Sequence, residues 1–281
     1  MEKGIVKAVL ETSNNILLEV YGDLLKPGVS QVGQAIGTLL GYGNTILMPL
    51  ALKNEKSKIT IQSNLNKYRQ KLEEIPEENI QSVVPEIGVP ILEKLMYVSD
   101  DTLVELYTEL LAKASDKEQC QSTHPSFVNV INNISPKESQ ILERINEGLI
   151  AVVDVDIVSD SGNHPCEQVS ELVLSDVFYD ENITAYLSNL FGLGLIHISV
   201  KRSLTDVHRY ELLENRIKEI YSKAPIVVGE SKMAVHMAQG NLNFNRGTIS
   251  ITSFGELFLV ACTKFIRQEE IYNLLYKHKQ S

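Results

Sequence analysis

The chain has 281 residues, 43% apolar, 22% charged and 6% aromatic, with no Trp. These are the proportions of a globular protein, and they exclude collagen, low-complexity sequence and wholesale disorder. Against 36 acidic residues stand 26 basic ones, a net charge of −10, which excludes a general electrostatic clamp on nucleic acid because such a clamp needs a basic surface to displace counterions.

Length predicts about two domains. Ile5, Val9, Ile16, Leu17 and Val20 recur at helical spacing, and Glu11, Glu19 and Asp23 interrupt the stretch, so it reads as an amphipathic helix and not as a signal peptide. Residues 27–52 contain no charged residue and are flanked by Lys26 and Lys53. That run exceeds the roughly 20 apolar residues a membrane helix needs. Gln31, Gln34, Thr38, Asn44, Thr45 and Pro49 nevertheless weigh against a stable span. Gly33, Gly37 and Gly41 fall four apart, a spacing that lets helix backbones approach closely. Two readings stand: a helix packed within the protein along this glycine seam, or a membrane-surface or conditionally inserted segment, and the three glycines also suit self-association.

Helical periodicity continues through Ile59, Ile61, Leu65, Tyr68 and Leu72, through Ile87, Ile91, Leu92, Leu95 and Met96, and through Leu103, Leu106, Tyr107, Leu110 and Leu111. Ser99-Asp100-Asp101 offers caps for the last of these. No alternating pattern precedes residue 148. Residues 1–75 are therefore read as N-terminal helices carrying the uncharged 27–52 segment, and 76–133 as a helical domain.

Ser135-Pro136-Lys137-Glu138 opens a further helix with Ile141, Leu142 and Ile145 on one face. A strand follows from Ile150 to Val158, then a loop over 159–163 and an ambiguous stretch from Val169 to Leu174. Glu181 to Phe191 reads as a helix closed by Gly192 and Gly194, Leu195 to Val200 as a strand, Asp206 to Ser222 as a helix, and Gly247 to Thr252 as a strand. Ser253-Phe254-Gly255-Glu256 repeats the capping-box spacing and starts another helix, and Glu269 to Lys277 forms a last one. This order is that of a winged helix over 134–281, with a helical insertion at about 205–240. The fold class is thus mainly α (α+β), a helical N-terminal domain followed by a winged-helix-like domain.

A winged helix reads nucleic acid in many proteins and docks protein in others, so the order alone does not decide. Here the helix in the recognition position exposes Asn182, Thr184, Ser188 and Asn189 and holds no Lys or Arg. Arg202 and Arg246 are the nearby cations for a nucleic-acid or partner contact, offset by acids such as Asp206, Glu211 and Glu214. The balance favours a protein partner over nucleic acid.

Other sites are sparse. Cys120, Cys166 and Cys262 are an odd count that fits a reducing compartment. Cys120-x-x-x-His124 and His164-x-Cys166 provide two thiols and two imidazoles, but with a spacing foreign to zinc modules. Asp154 and Asp156 alternate along a strand, as on a solvated face. No nucleophile-elbow, HExxH, P-loop or dinucleotide sequence occurs. No catalytic residue, metal or cofactor is expected.

Two stretches carry a family likeness. The first is Leu103-x-x-Leu106-x-x-x-Leu110-Leu111-Ala112 with His124-Pro125-Ser126-Phe127-x-x-x-Ile131-x-x-Ile134-Ser135-Pro136. The second is Asn189-Leu190-x-x-Leu193-Gly194-Leu195-Ile196 with Ile251-Thr252-x-Phe254-Gly255-x-x-Phe258-x-x-Ala261-Cys262. Over roughly 80–265 the chain resembles the bacterial abortive infection alpha family, a domain of unknown function. The resemblance implies a bacterial cytoplasmic protein of antiphage defence, in which an infected cell stops growing or dies, and it carries over no catalytic residue.

From the residues themselves, His124, Pro125, Ser126 and Phe127 read as structural, with His124 and Pro125 starting a helix that Phe127 anchors. The expectation is a non-enzymatic defence or interaction protein. It would sense a phage component through its C-terminal half and act through its N-terminal helices at the inner membrane surface. A winged-helix DNA-binding regulator is the alternative, and an unrecognised enzyme such as a nuclease the third reading.

Overall fold

A computed structural model describes residues 31–42, 55–158, 165–174, 182–200, 202–223, 226–227, 234–235 and 242–264. The helices expected over residues 5–20 and 269–277 lie outside them. The protein is mainly helical with a small antiparallel sheet. Its residues group into two compact units, Met1–Pro136 with Leu257–Ser281, and Lys137–Glu256. Sequence alone carried one domain from 134 to 281; here the chain returns to the first unit at Leu257.

The first unit begins with α1 (Gln31–Tyr42), α2 (Glu55–Glu73), α3 (Pro85–Leu95) and α4 (Asp101–Ala114). α5 (Ser126–Asn132) and most of α9 (Ser253–Cys262) complete it. α1 buries Ala35, Ile36, Leu39 and Leu40, and α2 buries Ile61, Leu65, Tyr68 and Leu72. Ile59, expected on that stripe, is 67% exposed. It stands two residues before Ile61, and residues two apart on a helix do not share a face. Asp100 caps α4 by accepting the Leu103 amide at 3.1 Å. α4 is the central helix, buried from Leu106 to Ala114.

Phe127 on α5 meets Phe258 on α9 edge to face, with ring centroids 5.5 Å apart. Both rings are fully buried, and this pairing helps seat the returning chain in the first unit.

The second unit holds α6 (Pro136–Asn146), α7 (Ile183–Gly192), α8 (Val207–Lys223) and, among the described residues, six strands. β1 (Ile150–Val158), β2 (Pro165–Leu174), β3 (Ile196–Ser199) and β6 (Leu242–Ile251) form one sheet in the order β2-β1-β6-β3, with every neighbouring pair antiparallel. β4 (Ile226–Val227) and β5 (Ala234–Val235) pair separately. The stretch left ambiguous at Val169–Leu174 is thus part of a strand, and the insertion is not wholly helical. β6 is longer than the expected Gly247–Thr252 because Leu242 to Arg246 continue the ladder on β1.

Ala151, Val153 and Val155 point to one face of β1, where α8 covers them with Tyr210, Leu213 and Ile217. The alternate residues Ile150, Val152 and Asp154 are buried as well. β1 therefore reads as a near-continuous apolar run because both of its faces are covered.

Candidate functional site

α2 carries three polar groups at i, i+4 and i+7 on its packed side, and each meets a different part of the first unit. Asn64 is buried, and its Nδ2 donates to the carbonyls of Leu95 and Val98, each at 3.0 Å. It thereby satisfies acceptors that the end of α3 leaves without helical partners. Tyr68 Oη lies 2.7 Å from Ser115 Oγ, which itself donates to the Leu111 carbonyl at 2.8 Å. Burial holds the Tyr68 hydroxyl well above its ordinary pKa. Lys71 Nζ reaches Glu105 at 2.5 Å and Glu109 at 2.6 Å. Burial pulls this ammonium down, but the two carboxylate bonds outweigh it, and its pKa is raised.

The chain of charge continues along α4. Glu109 Oε1 lies 3.4 Å from Lys113 Nζ, which donates to the Val260 carbonyl at 2.5 Å and the Thr263 carbonyl at 2.6 Å. Lys113 is only 9% exposed. Two of the ammonium's three donors are directed at the negative end of α9, and Glu109 lies within ion-pair distance. Next to it, burial raises the Cys262 thiol well above its ordinary range, with Lys113 pulling weakly the other way. A committed lysine and a thiol kept protonated are poor nucleophiles. The arrangement staples helices. Sequence reading missed it, although Glu105, Glu109 and Lys113 recur every four residues along one helix, a charged row beside an apolar one.

The His124–Phe127 element forms the turn into α5. His124 Nδ1 accepts the Ser126 amide at 3.1 Å and lies 2.6 Å from Ser126 Oγ. The His124 ring packs obliquely on Phe127, centroids 5.8 Å apart, and Pro125 occupies the residue before the helix with φ −56°. Half-buried Ser135 precedes Pro136, which opens α6. Two residues on, Glu138 is buried and accepts Asn189 Nδ2 at 2.7 Å.

At the start of α9 the cap is Thr252, not Ser253. Thr252 Oγ1 accepts the Gly255 amide at 2.9 Å and donates to the Gly194 carbonyl at 2.6 Å. Ser253 is exposed and Phe254 half-buried. Gly255 has a direct reason: a Cβ there would collide with the Leu195 carbonyl and crowd Ile251. Gly194 takes φ +75°, a left-handed conformation that closes α7 and favours glycine.

The remaining sequence candidates are scattered. In the second unit Asn182 and Ser188 are exposed, Thr184 is half-buried, and Asn189 is engaged with Glu138. Arg202 is exposed. Arg246 is not a free cation: its Nε donates to Glu214 at 2.7 Å, and its guanidinium lies 5.4 Å from the Tyr210 ring centre. Its neighbour Glu214 is the first cause of its raised pKa. The exposed feature of α7 that sequence reading passed over is Phe191, 52% exposed at the end of the helix.

In the first unit, among the described residues, Gly37 and Gly41 of α1 face open space. Gly33 and Gly37 are half-buried, Gly41 is exposed, and a Cβ on Gly37 or Gly41 would meet nothing within 4 Å. Among the described residues no helix is long and apolar enough to cross a membrane. The rest of the 27–52 run lies outside them.

Asp154 does not sit on a solvated face; it is 6% exposed, because the second face of β1 is covered there. Asp156 Oδ2 accepts Asn245 Nδ2 at 2.7 Å. Cys120 is half-buried with Sγ donating to the Lys117 carbonyl at 3.6 Å, while His164 and the Cys166 side chain are outside the described residues. Among the described residues no group of three or more His, Cys, Asp or Glu is placed to hold a metal ion.

No curated protein and no solved structure matches the chain. The profile of the Abortive infection alpha family matches residues 60–262, a span that holds the Lys113 staple, the His124–Phe127 turn and the Thr252 cap, and the chain belongs to that family.

Proposed function

We infer that this protein serves abortive-infection-type defence without catalysis, the second unit recognising a protein partner such as a phage component and the first acting as effector at a membrane surface. Family membership supports the defence role. The observation that carries the rest is α7: a half-exposed helix with no Lys or Arg, presenting Phe191, Ser188 and Asn182. An exposed aromatic among neutral side chains suits a protein interface, since burying it strands no charge. The order α6, β1, α7, β3, β6, with β6 between β1 and β3, supports a winged-helix-like reading of this unit. In such a fold α7 takes the recognition position. The ion pair on Arg246 weighs against phosphate contact, which favours free cations.

For the first unit, the supporting observation is the uncharged run over 27–52. The open space beside Gly37 and Gly41 supports a second copy as the alternative occupant.

Phage plating on cells with and without the gene tests the defence reading. The wild type should lower plating of at least one phage, and Phe191→Ser should abolish that protection with the melting temperature unchanged. Absence of protection across a broad panel sinks the defence reading. Salt-sensitive binding of the purified protein to a duplex would replace protein recognition with the DNA-regulator alternative.

A further inference from the structure

α1 is held differently from its neighbours. α2 is bound to α4 by ion pairs from Lys67 and Lys71 and to the end of α3 by the Asn64 amide, directional polar bonds that acyl chains do not offer. α1 has no charged residue between Gln31 and Tyr42. It is seated through Ala35, Ile36, Leu39 and Leu40. Exposed hydrogen bonds tie its margin, from the Gln31 amide to Glu77 Oε1 at 3.2 Å and from Ser82 Oγ to Thr38 Oγ1 at 3.3 Å.

Apolar burial is non-directional, so acyl chains can satisfy these four side chains as well as protein does. The opposite side of α1, with Gln34 and Gly41 exposed, requires no ion to be dehydrated. The uncharged composition of α1 and its one apolar side suit a helix that lies in a bilayer interface.

We propose that the first unit holds α1 in an autoinhibited position, its lipid-binding side masked by α2 and α3, and that release of the helix presents that side to a lipid surface. The proposal rests on the membrane reading of the first unit and adds its regulation. One set of side chains serves both seats, so docking in the fold and docking on lipid exclude each other.

The test uses the full chain and flotation with vesicles of phosphatidylethanolamine and phosphatidylglycerol. Thr38→Cys with Ser82→Cys places two thiols where the native oxygens stand 3.3 Å apart, close enough for a disulfide. Peptide mapping distinguishes that bond from any made by the native cysteines. Glu77→Ala with Ser82→Ala removes these two described ties without altering α1. The untied form should float about tenfold more than the wild type, the combined effect of two modest hydrogen bonds. The oxidised cysteine pair should not float, and reduction should restore binding. Equal flotation of oxidised, reduced and untied forms overturns the autoinhibition and leaves the membrane reading standing. No flotation by any form, the untied one included, overturns both. Should the untied variant unfold, the oxidised and reduced forms decide alone.

Discussion

α4 and α7 place their charge in opposite ways. α4 is buried along most of its surface yet holds Glu109 and Lys113 inside, whereas α7 is half exposed and carries no charge from Ile183 to Gly192. A charge survives burial only when its hydrogen bonds are met, so charge in the interior marks a staple between elements. A neutral exposed face loses little on drying, so it marks a surface suited to a partner. Charge is a guide to function here only when read together with burial.

The comparison breaks most visibly at Lys113. Lys113→Met leaves Glu109 and two helix-end carbonyls without that ammonium and should cost about 3 kcal/mol, read from urea unfolding. A cost near zero would mean that the charge is solvated and α4 is no staple. The Lys71 pairs sharpen the point through pH. Because that ammonium titrates above its ordinary range, its contribution holds at neutral pH and is lost as pH rises through the raised value. Lys71→Met should therefore flatten the alkaline limb of the stability profile; an unchanged limb would assign it to other groups.

Smaller effects follow at turns and exposed positions of both units. Gly255→Ala should destabilise by about 2 kcal/mol, because the new methyl meets backbone and not a movable side chain. Thr252→Ala should cost about 1 kcal/mol as the cap of α9 is lost, and calorimetry separates the two. Gly37→Ala should raise stability by about 0.5–1 kcal/mol, since the space is open and alanine favours helix. A gain in stability accompanied by lost protection would show that the glycine face meets something in the cell. Phe191→Ser should shift stability least, within about 0.5 kcal/mol, as an exposed substitution does. A large loss there would make Phe191 part of the fold and remove it from the interface.

Much of the architecture was legible along the chain. The stripes Ile61–Leu65–Tyr68–Leu72 and Leu106–Tyr107–Leu110–Leu111 are buried as their spacing requires, and Phe127 anchors α5. β2 was harder to read, because its outer half alternates weakly and nothing in its own residues announces the β1 edge it pairs with. The staple was illegible for another reason. Lys71, Glu109 and Lys113 look like the surface charges of any helix until a partner 147 residues away, at Val260, is brought against Lys113.

Periodicity and turn chemistry are local: they depend on side chains within a few residues, and so the helices, the strand from Ile150 and the closing turn at Gly194 were written in the sequence alone. Sequence also set the charge-free run over 27–52 and the family likeness, both properties of order and composition. Tertiary structure alone decided that Leu257 rejoins the first unit, that Thr252 and not Ser253 caps α9, that Asp154 is covered, and that Arg246 is neutralised by Glu214. Each of these turns on which distant group fills a hydrogen bond or a surface, and that is fixed by packing between elements, which no window along the chain contains.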